Sequence, residues 1–383
     1  ALIVEALKKK YGDILTNPSG SNMQQGIVTA FLAHKNKRAK KKIAVLEVDE
    51  ANVKMVTELL HPSVFVLTNI FRDQMDRYGE IYTTYQKIVD GIKLAPDATI
   101  IANGDASIFS SVELPNKKVF YGFKLPEDKP ENDFKAPVNT DGVLCPKCDH
   151  ILHYHERIYA NLGDYFCPNC GYHRPELTYS VNQIIDQTPN SLKFKMGEKE
   201  YSIGIGGTYN IYNALAAYSV AREFGLSEEE VAQSFAENKR IFGRQELINY
   251  ADKEIDLILV KNPVGLDEVL HMLNTEKDNY SIVALLNANH ADGIVTSWIW
   301  DADYEGLNKD QIKKVIVGGK RWHDMGFRLE VSGFDPGLMT TATNNEALLD
   351  EISKLPTKKV YILATYTAML SLRKTMGEKK IIK

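Results

Sequence analysis

The sequence predicts an α/β protein in which two parallel, doubly wound sheets follow one another and a small cysteine-rich insertion interrupts the first. Strand-length apolar runs near residues 43–50, 64–67 and 99–105, and again near 255–260, 281–286, 314–317 and 359–363, alternate with helical patterns. Such alternation argues for parallel strands joined by crossover helices. A stretch rich in Pro, Asp, Glu, Lys and Asn at 126–139 marks a linker. All four cysteines follow it, in two Cys-x-x-Cys pairs.

Length and composition narrow the function classes. A chain of 383 residues exceeds one typical domain, and a hydrophobic content of 44% fills two or three cores. The net charge of −4 argues against a nucleic-acid protein, whose affinity comes from a basic face. No apolar run approaches the roughly 20 residues that span a bilayer, and no signal peptide is recognisable, so a cytoplasmic protein is expected. In that reducing compartment paired cysteines favour metal over disulfides.

The chain opens on a helical pattern over 1–10, with Leu2, Ile3, Ala6 and Leu7 on one face and lysines at the carboxyl end, where they suit the helix dipole. A turn-rich loop follows, in which Thr16, Asn17, Ser19 and Asn22 offer hydroxyls and amides to a phosphate or a substrate; an ordinary connection is the plainer reading. The lysine-rich run at 34–42 reads as a solvated loop. Within the apolar run at 43–50, an ionised Glu47 is costly unless paired or metal-bound. It therefore stands out over Asp49 and Glu50, which are expected at the surface. The strand at 64–67 gives way at Thr68 and Asn69 to a polar segment carrying Asp73 and Asp76. Polar residues crowded at the carboxyl end of a strand in an open α/β sheet point to a bound nucleotide or metal, against the plainer alternative of a solvated helix cap. A helix near 81–94 and the strand at 99–105 come next.

Cys145, Cys148, Cys167 and Cys170 can close tetrahedrally on one Zn²⁺, which leaves no open position for water or substrate. A structural zinc is expected, stapling an insertion too small to hold a core of its own. His150, His153, His155 and His173 lie near, but four cysteines suffice. Strands near 176–181, 192–196 and 201–205 lead to Gly206, Gly207 and a helix on which Asn210 and Asn213 share one face. Capping explains the first asparagine but not both. The last third reads as a second α/β unit, with an additional strand near 327–331. Asp292 falls in an Ala-Asp-Gly turn after the strand at 281–286, a position expected to be exposed.

Several of these stretches resemble the Mur ligase family. The run from Thr68 through Asn69, Ile70, Asp73 and Asp76 to Gly79 is similar to its Thr-Asn-Ile-x-x-Asp-His-Leu-Asp-x-x-Gly, with Gln74 and Met75 in place of His and Leu. The loop from Asn17 to Asn22 is similar to its Asn-Thr-x-Gly-x-Asn. The helix start at Gly207 resembles Gly-x-His-Asn-x-x-Asn-x-x-Ala-Ala, with Tyr209 replacing the His, and Gly243-Arg244-Gln245-Glu246 resembles Gly-Arg-x-Glu. Lys261-Asn262-Pro263 stands where the family has His-Asn-Pro. The zinc pairs, the Asp73-Gln74 variant and the segments at 287–293 and 297–301 are similar, within this family, to the ligase subunits of glutamine-dependent lipid II isoglutaminyl synthases.

That resemblance implies a Mur ligase-like central ATP-binding domain over residues 1–247 with a four-cysteine zinc-ribbon insertion at 141–175. A C-terminal Rossmann-like α/β domain over 248–383 would face a glutaminase partner. Asn69, Asn210, Asn213 and Arg244 would hold the nucleotide, Glu47 and Asp73 Mg²⁺, with Glu47 catalytic, and Thr16, Asn17, Ser19 and Asn22 the substrate. The family's glycine-rich phosphate loop is expected ahead of Ala1, because no Gly-x-x-x-x-Gly-Lys-Ser/Thr occurs in the sequence. The implied reaction is ATP-dependent amidation of the α-carboxylate of D-glutamate in the lipid II stem peptide, through an acyl phosphate, to D-isoglutamine. No cysteine lies outside the zinc pairs, so the nucleophile that releases ammonia from glutamine must sit on a partner. The resemblance implies a glutaminase of the GatD-like, class I amidotransferase type, in a heterodimer or higher heteromer at the inner face of the membrane. Asp292 would complete its triad. The rivals are an amino-acid-adding Mur or folylpolyglutamate-type ligase, which needs no glutaminase, and a non-enzymatic zinc-ribbon module.

Overall fold

Helix α1 (Leu2–Tyr11) buries Ala6 and Leu7 and stops at Gly12, whose φ of 74° turns the chain out of the helix. The computed structural model describes residues 1–17, 21–34, 43–71, 81–126, 134–135, 142–237 and 245–382. They fall into two units, Ala1–Asn238 and Lys239–Lys383.

In the first unit β1 (Ile14–Leu15), α2 (Gln24–Ala33) and β2 (Ile43–Ala44) follow α1, with β1 and β2 paired in parallel. The run at 43–50 is thus not one buried strand: the ladder continues only to the Val45 N–H, which donates to Leu15 O at 2.9 Å. Beyond it come α3 (Val53–Leu60), β3 (Val64–Leu67), α4 (Ile81–Ile92), β4 (Thr99–Asn103) and β5 (Lys118–Phe123). The insertion holds β6 (Phe134–Lys135), β7 (His153–Tyr159) and β8 (Leu162–Phe166), an antiparallel set. It stands in the connection between β5 and β9 (Tyr179–Val181), which are neighbours in a parallel sheet of order β3-β4-β5-β9. Antiparallel β10 (Gln183–Thr188), β11 (Ser191–Met196) and β12 (Lys199–Ile203) lead into α5 (Thr208–Glu223) and α6 (Glu228–Glu237). Helix α5 is buried along most of its length, and Ala214, Ala216, Ala217 and Ala221 let it lie close against β4 and β5.

The second unit is built on one six-stranded sheet of order β13-β14-β18-β15-β16-β17. Its elements are β13 (Gln245–Tyr250), β14 (Lys253–Leu259), α7 (Pro263–Leu273), β15 (Tyr280–Leu285), β16 (Ile312–Gly318), α8 (Trp322–Val331), β17 (Met339–Ala342), α9 (Asn345–Ser353), β18 (Lys359–Ala364) and α10 (Tyr366–Glu378). Edge strand β13 is antiparallel to β14, and the other pairs are parallel. Because side chains alternate along a strand, Ile282 and Ala284 pack with Leu266, Leu270 and Leu329 from α7 and α8. Val283 and Leu285 pack with Leu349, Ile352 and Leu372 from α9 and α10. Helices therefore cover both faces, which is why the strands read as continuous apolar runs. Strand β13 spans the boundary expected at residue 247 and pairs wholly within this second sheet.

The additional strand expected near 327–331 is the last part of α8. Met325, Arg328 and Leu329 are buried there while Phe327 and Val331 are exposed, a helical spacing that a short apolar run does not reveal. Among the described residues no helix is long and apolar enough to cross a membrane.

Candidate functional site

Strands β3, β4 and β5 are parallel, so their carboxyl ends lie on one edge of the sheet, where an open α/β sheet takes its ligands. Thr68, Asn69, Ile70 and Phe71 leave that edge from β3, and Asp105 follows β4. Helix α5 starts after Gly206 and Gly207. A Cβ on Gly207, at φ 85°, would come 2.5 Å from the Tyr209 ring, so a glycine is required there. Asn210 is buried and donates from Nδ2 to Gly206 O at 2.6 Å; its Oδ1 accepts from Asn213 Nδ2 at 3.0 Å. The two asparagines expected on one face are thus joined to each other. Arg244, Asp73 and Ser19 lie outside the described residues.

Asn17, expected to touch substrate, is buried and clamps backbone instead. Its Nδ2 donates to Glu47 O at 2.7 Å and Ser21 O at 2.8 Å, and its Oδ1 accepts the Glu47 N–H at 2.9 Å. The clamp holds the Glu47 backbone beyond the point where strand pairing ends at Val45. Glu47 is exposed, and Asp49, expected at the surface, is the buried acid, capping a short turn through the Ala51 N–H at 3.1 Å. Thr16 and Asn22 are half-buried, and Asn22 O accepts the Asp49 N–H at 2.9 Å.

The four cysteine sulfurs lie within 4.8 Å of one another. Cys145 and Cys170 Sγ are 3.6 Å apart, and Cys148 and Cys167 Sγ 3.5 Å. Four sulfurs bound at ~2.3 Å to one tetrahedral zinc sit roughly 3.8 Å apart, so the set fits that ion. Each knuckle is closed by backbone bonds, Asp149 N–H to Cys145 O at 2.9 Å and Gly171 N–H to Cys167 O at 3.0 Å. Burial pushes the Cys145 thiol up to about 12, whereas the Asn169 side chain holds Cys148 down to about 6. A dication at the centre would ionise all four. His155 is stacked on Phe166 at 4.4 Å, and His173 Nδ1 faces Gly171 O at 2.9 Å. The insertion does hold a small core, made of Leu152, Tyr154 and Tyr165 under the cysteines.

Nothing in the sequence singles out Asp105, although it ends an apolar run as an acid. It is fully buried. Oδ1 accepts from Arg174 Nη1 at 2.9 Å, and Oδ2 from the Phe123 N–H at 2.8 Å and the Tyr212 hydroxyl at 2.7 Å. Burial raises its carboxyl, and Arg174 and these donors pull it back. A Cβ on Gly122 would lie 2.5 Å from Asp105 Oδ1, so β5 needs a glycine beside the acid.

A second polar cluster lies beyond the carboxyl ends of β15, β16 and β18. Asp292, expected to be exposed, is buried at 5%. Its Oδ1 accepts the Thr367 N–H at 2.7 Å, and its Oδ2 accepts the Asn289 N–H at 3.0 Å and the Thr367 hydroxyl at 2.5 Å. Asn287 and Asn289 both donate to Thr367 Oγ1, at 2.9 and 2.6 Å, and Lys320 Nζ reaches Asn289 Oδ1 at 2.7 Å. Thr367 and Lys320 carried no signal in the sequence, since each sits alone after an apolar run.

A family model described as MurT ligase C-terminal matches residues 259–369. A Streptococcus pneumoniae protein named lipid II isoglutaminyl synthase (glutamine-hydrolyzing) subunit MurT is 45% identical over all of this chain and 85% of its own length. Its Staphylococcus aureus namesake is 35% identical over 86% of this chain and 74% of its own. MurF from Acinetobacter baumannii has a similar fold, with a TM-score of 0.67 at 13% identity over 100% of this chain and 73% of that one.

Proposed function

The chain belongs to the MurT family of lipid II isoglutaminyl synthase subunits, ATP-dependent ligases of peptidoglycan synthesis, and from that premise we propose how its residues divide the work. An oxygen of the D-glutamate α-carboxylate in the lipid II stem peptide attacks the γ-phosphorus of ATP, and ADP leaves. Ammonia then attacks the acyl carbon, and phosphate departs with one carboxylate oxygen to leave D-isoglutamine. Phosphorylation is needed because a carboxylate oxygen is a poor leaving group.

Asn210 and Asn213 hold the nucleotide, together with Asn69 and Arg244. The pair supports this because each amide fixes the next, back to Gly206, so the face is set before a ligand arrives. Glu47 and Asp73 are the carboxylates that would hold Mg²⁺, which offsets charge on the phosphates. The exposed Glu47 fits this role, since Asn17 fixes its backbone and leaves its carboxylate free to face a ligand. Thr16, Ser19 and Asn22 contribute to substrate binding, with Asn17 supporting them from within. The four thiolates would hold zinc structurally, and residues 248–383 form a Rossmann-like unit that meets the partner.

That partner is a GatD-like glutaminase supplying ammonia. A carboxylate has about four lone-pair sites; three bonds occupy Asp292, so one remains for an imidazole N–H from the partner. Asp292 thereby completes the triad. The complex works on its lipid-linked substrate at the inner membrane face. An amino-acid-adding ligase would need no partner subunit, and a non-enzymatic module would need no ligase relatives.

The observation that carries this reading is the similarity along the whole chain to a named subunit. Its test is amidation of lipid II by this chain combined with a glutaminase subunit. Product should require ATP, and either glutamine or free ammonia should serve. Product without ATP, or only with a free amino acid as acceptor, would contradict it.

A further inference from the structure

The insertion reaches the elements around α5 through two side chains that its own small core does not use. Tyr159, at the end of β7 and 7% exposed, has its ring centroid 5.7 Å from Tyr212 of α5, edge to face. The same ring is 6.0 Å from Phe71, which directly follows Thr68, Asn69 and Ile70. Arg174, just beyond the second cysteine knuckle, donates from Nη1 to Asp105 Oδ1 at 2.9 Å and to Phe123 O at 2.7 Å. Its Nη2 lies 3.0 Å from Asp164 Oδ2 within the insertion. Asp105 in turn accepts the Tyr212 hydroxyl at 2.7 Å. Tyr212 is therefore gripped twice from the insertion, at its ring by Tyr159 and at its hydroxyl through Asp105 and Arg174. It sits between Asn210 and Asn213 on the same helix. The core under the cysteines consists of Leu152, Tyr154 and Tyr165 and includes neither Tyr159 nor Arg174.

We propose that Tyr159 and Arg174 are positioning residues for the nucleotide site, and that the cysteine-stapled insertion is a brace setting α5 and the Thr68–Phe71 segment against each other. Helix α5 packs on β4 and β5 along its length, and fixing both ring and hydroxyl of Tyr212 adds a restraint in its first turns, where a shift would move both asparagines together. The proposal rests on the reading of α5 as the nucleotide helix.

The experiment uses the complex of this chain with its partner subunit and ATP as the probe. Variants Tyr159→Phe, Tyr159→Ala, Arg174→Met and, as control, Asn213→Ala are compared by ATP dissociation constant, zinc per chain, melting temperature and ammonia-driven kcat and KM. Tyr159→Phe should bind ATP as the parent does. Tyr159→Ala and Arg174→Met should bind it about tenfold more weakly with zinc retained, and KM for ATP should rise more than kcat falls. Parental ATP affinity in Tyr159→Ala, with Asn213→Ala weakened, overturns the brace alone. Parental affinity in Asn213→Ala overturns the nucleotide reading and the brace with it. If Tyr159→Ala loses zinc or melts early, Tyr159→Leu, which keeps apolar volume without the ring edge, is read by the same outcomes.

Discussion

Asn213 Nδ2 donates to Asn210 Oδ1 at 3.0 Å, and this one contact separates two roles that the sequence presents as equal. Asn210 is buried and also holds Gly206 O, so Asn210→Ala leaves a backbone carbonyl without its donor, at a cost of about 1–3 kcal/mol. Asn213→Ala removes the half-buried outer member and with it the donor to Asn210 Oδ1. We expect both variants to raise KM for ATP, with the larger fall in unfolding midpoint in Asn210→Ala. Equal stability losses, or an unchanged KM in either variant, would refute the assignment.

One zinc per chain is expected from the sulfur spacings of 3.5 and 3.6 Å. Elemental analysis of purified chain measures it. Cys145→Ser should lose the metal and lower the melting temperature, because Cys145 is buried in the insertion's core. Metal content below about half an equivalent in the parent chain speaks against a closed site with the ligand set of four thiolates.

Asp292→Asn places an N–H donor opposite a donor, since both carboxylate oxygens now accept from Thr367 or Asn289. A modest stability loss of about 1–2 kcal/mol is expected. If Asp292 completes the partner's triad, glutamine-driven amidation falls by orders of magnitude while ammonia-driven amidation persists. Loss of both activities with an intact complex, or of neither, excludes that role.

The contribution of Asp267 to stability should decline as pH rises from about 4 to 6. Burial raises the Asp267 carboxyl to about 6 from an ordinary 3.8, although it accepts the Asp303 N–H at 2.7 Å. Across that window the folded chain keeps a proton that the unfolded chain has released, so stability falls with pH and is flat above it. His271, raised by the Glu268 carboxylate 3.6 Å from its Nδ1, adds a decline of the same sign at higher pH. Thermal melts of Asp267→Asn should lack the lower part of the slope and keep the upper part. An unchanged slope in the variant would mean that another group sets it.

Where local pattern decides structure, the sequence was legible. The cysteine pairs needed only their spacing, and Asn210 and Asn213 only the helical period. The second sheet was legible because its strands are buried on both faces. The burial expected of Glu47 failed because the strand ends at Ala44 and a side chain distant in sequence, the Asn17 amide, holds the Glu47 backbone in place of a neighbouring strand. Phe327 and Val331 misled because exposed apolar residues on α8 look like a strand core. Asp292 looked exposed because the Thr367 N–H and hydroxyl that bury it lie far along the chain. Strands β7 and β8 escaped notice because their alternation pairs aromatic with polar residues, as in His153-Tyr154-His155-Glu156.

The central claim, amidation through an acyl phosphate, is tested most directly by isotope transfer. Lipid II carrying oxygen-18 in the D-glutamate α-carboxylate is incubated with ATP, ammonia and this chain in its complex, and the inorganic phosphate is analysed by mass. The account predicts one labelled oxygen in phosphate for each amide formed; amide formation with unlabelled phosphate would contradict it.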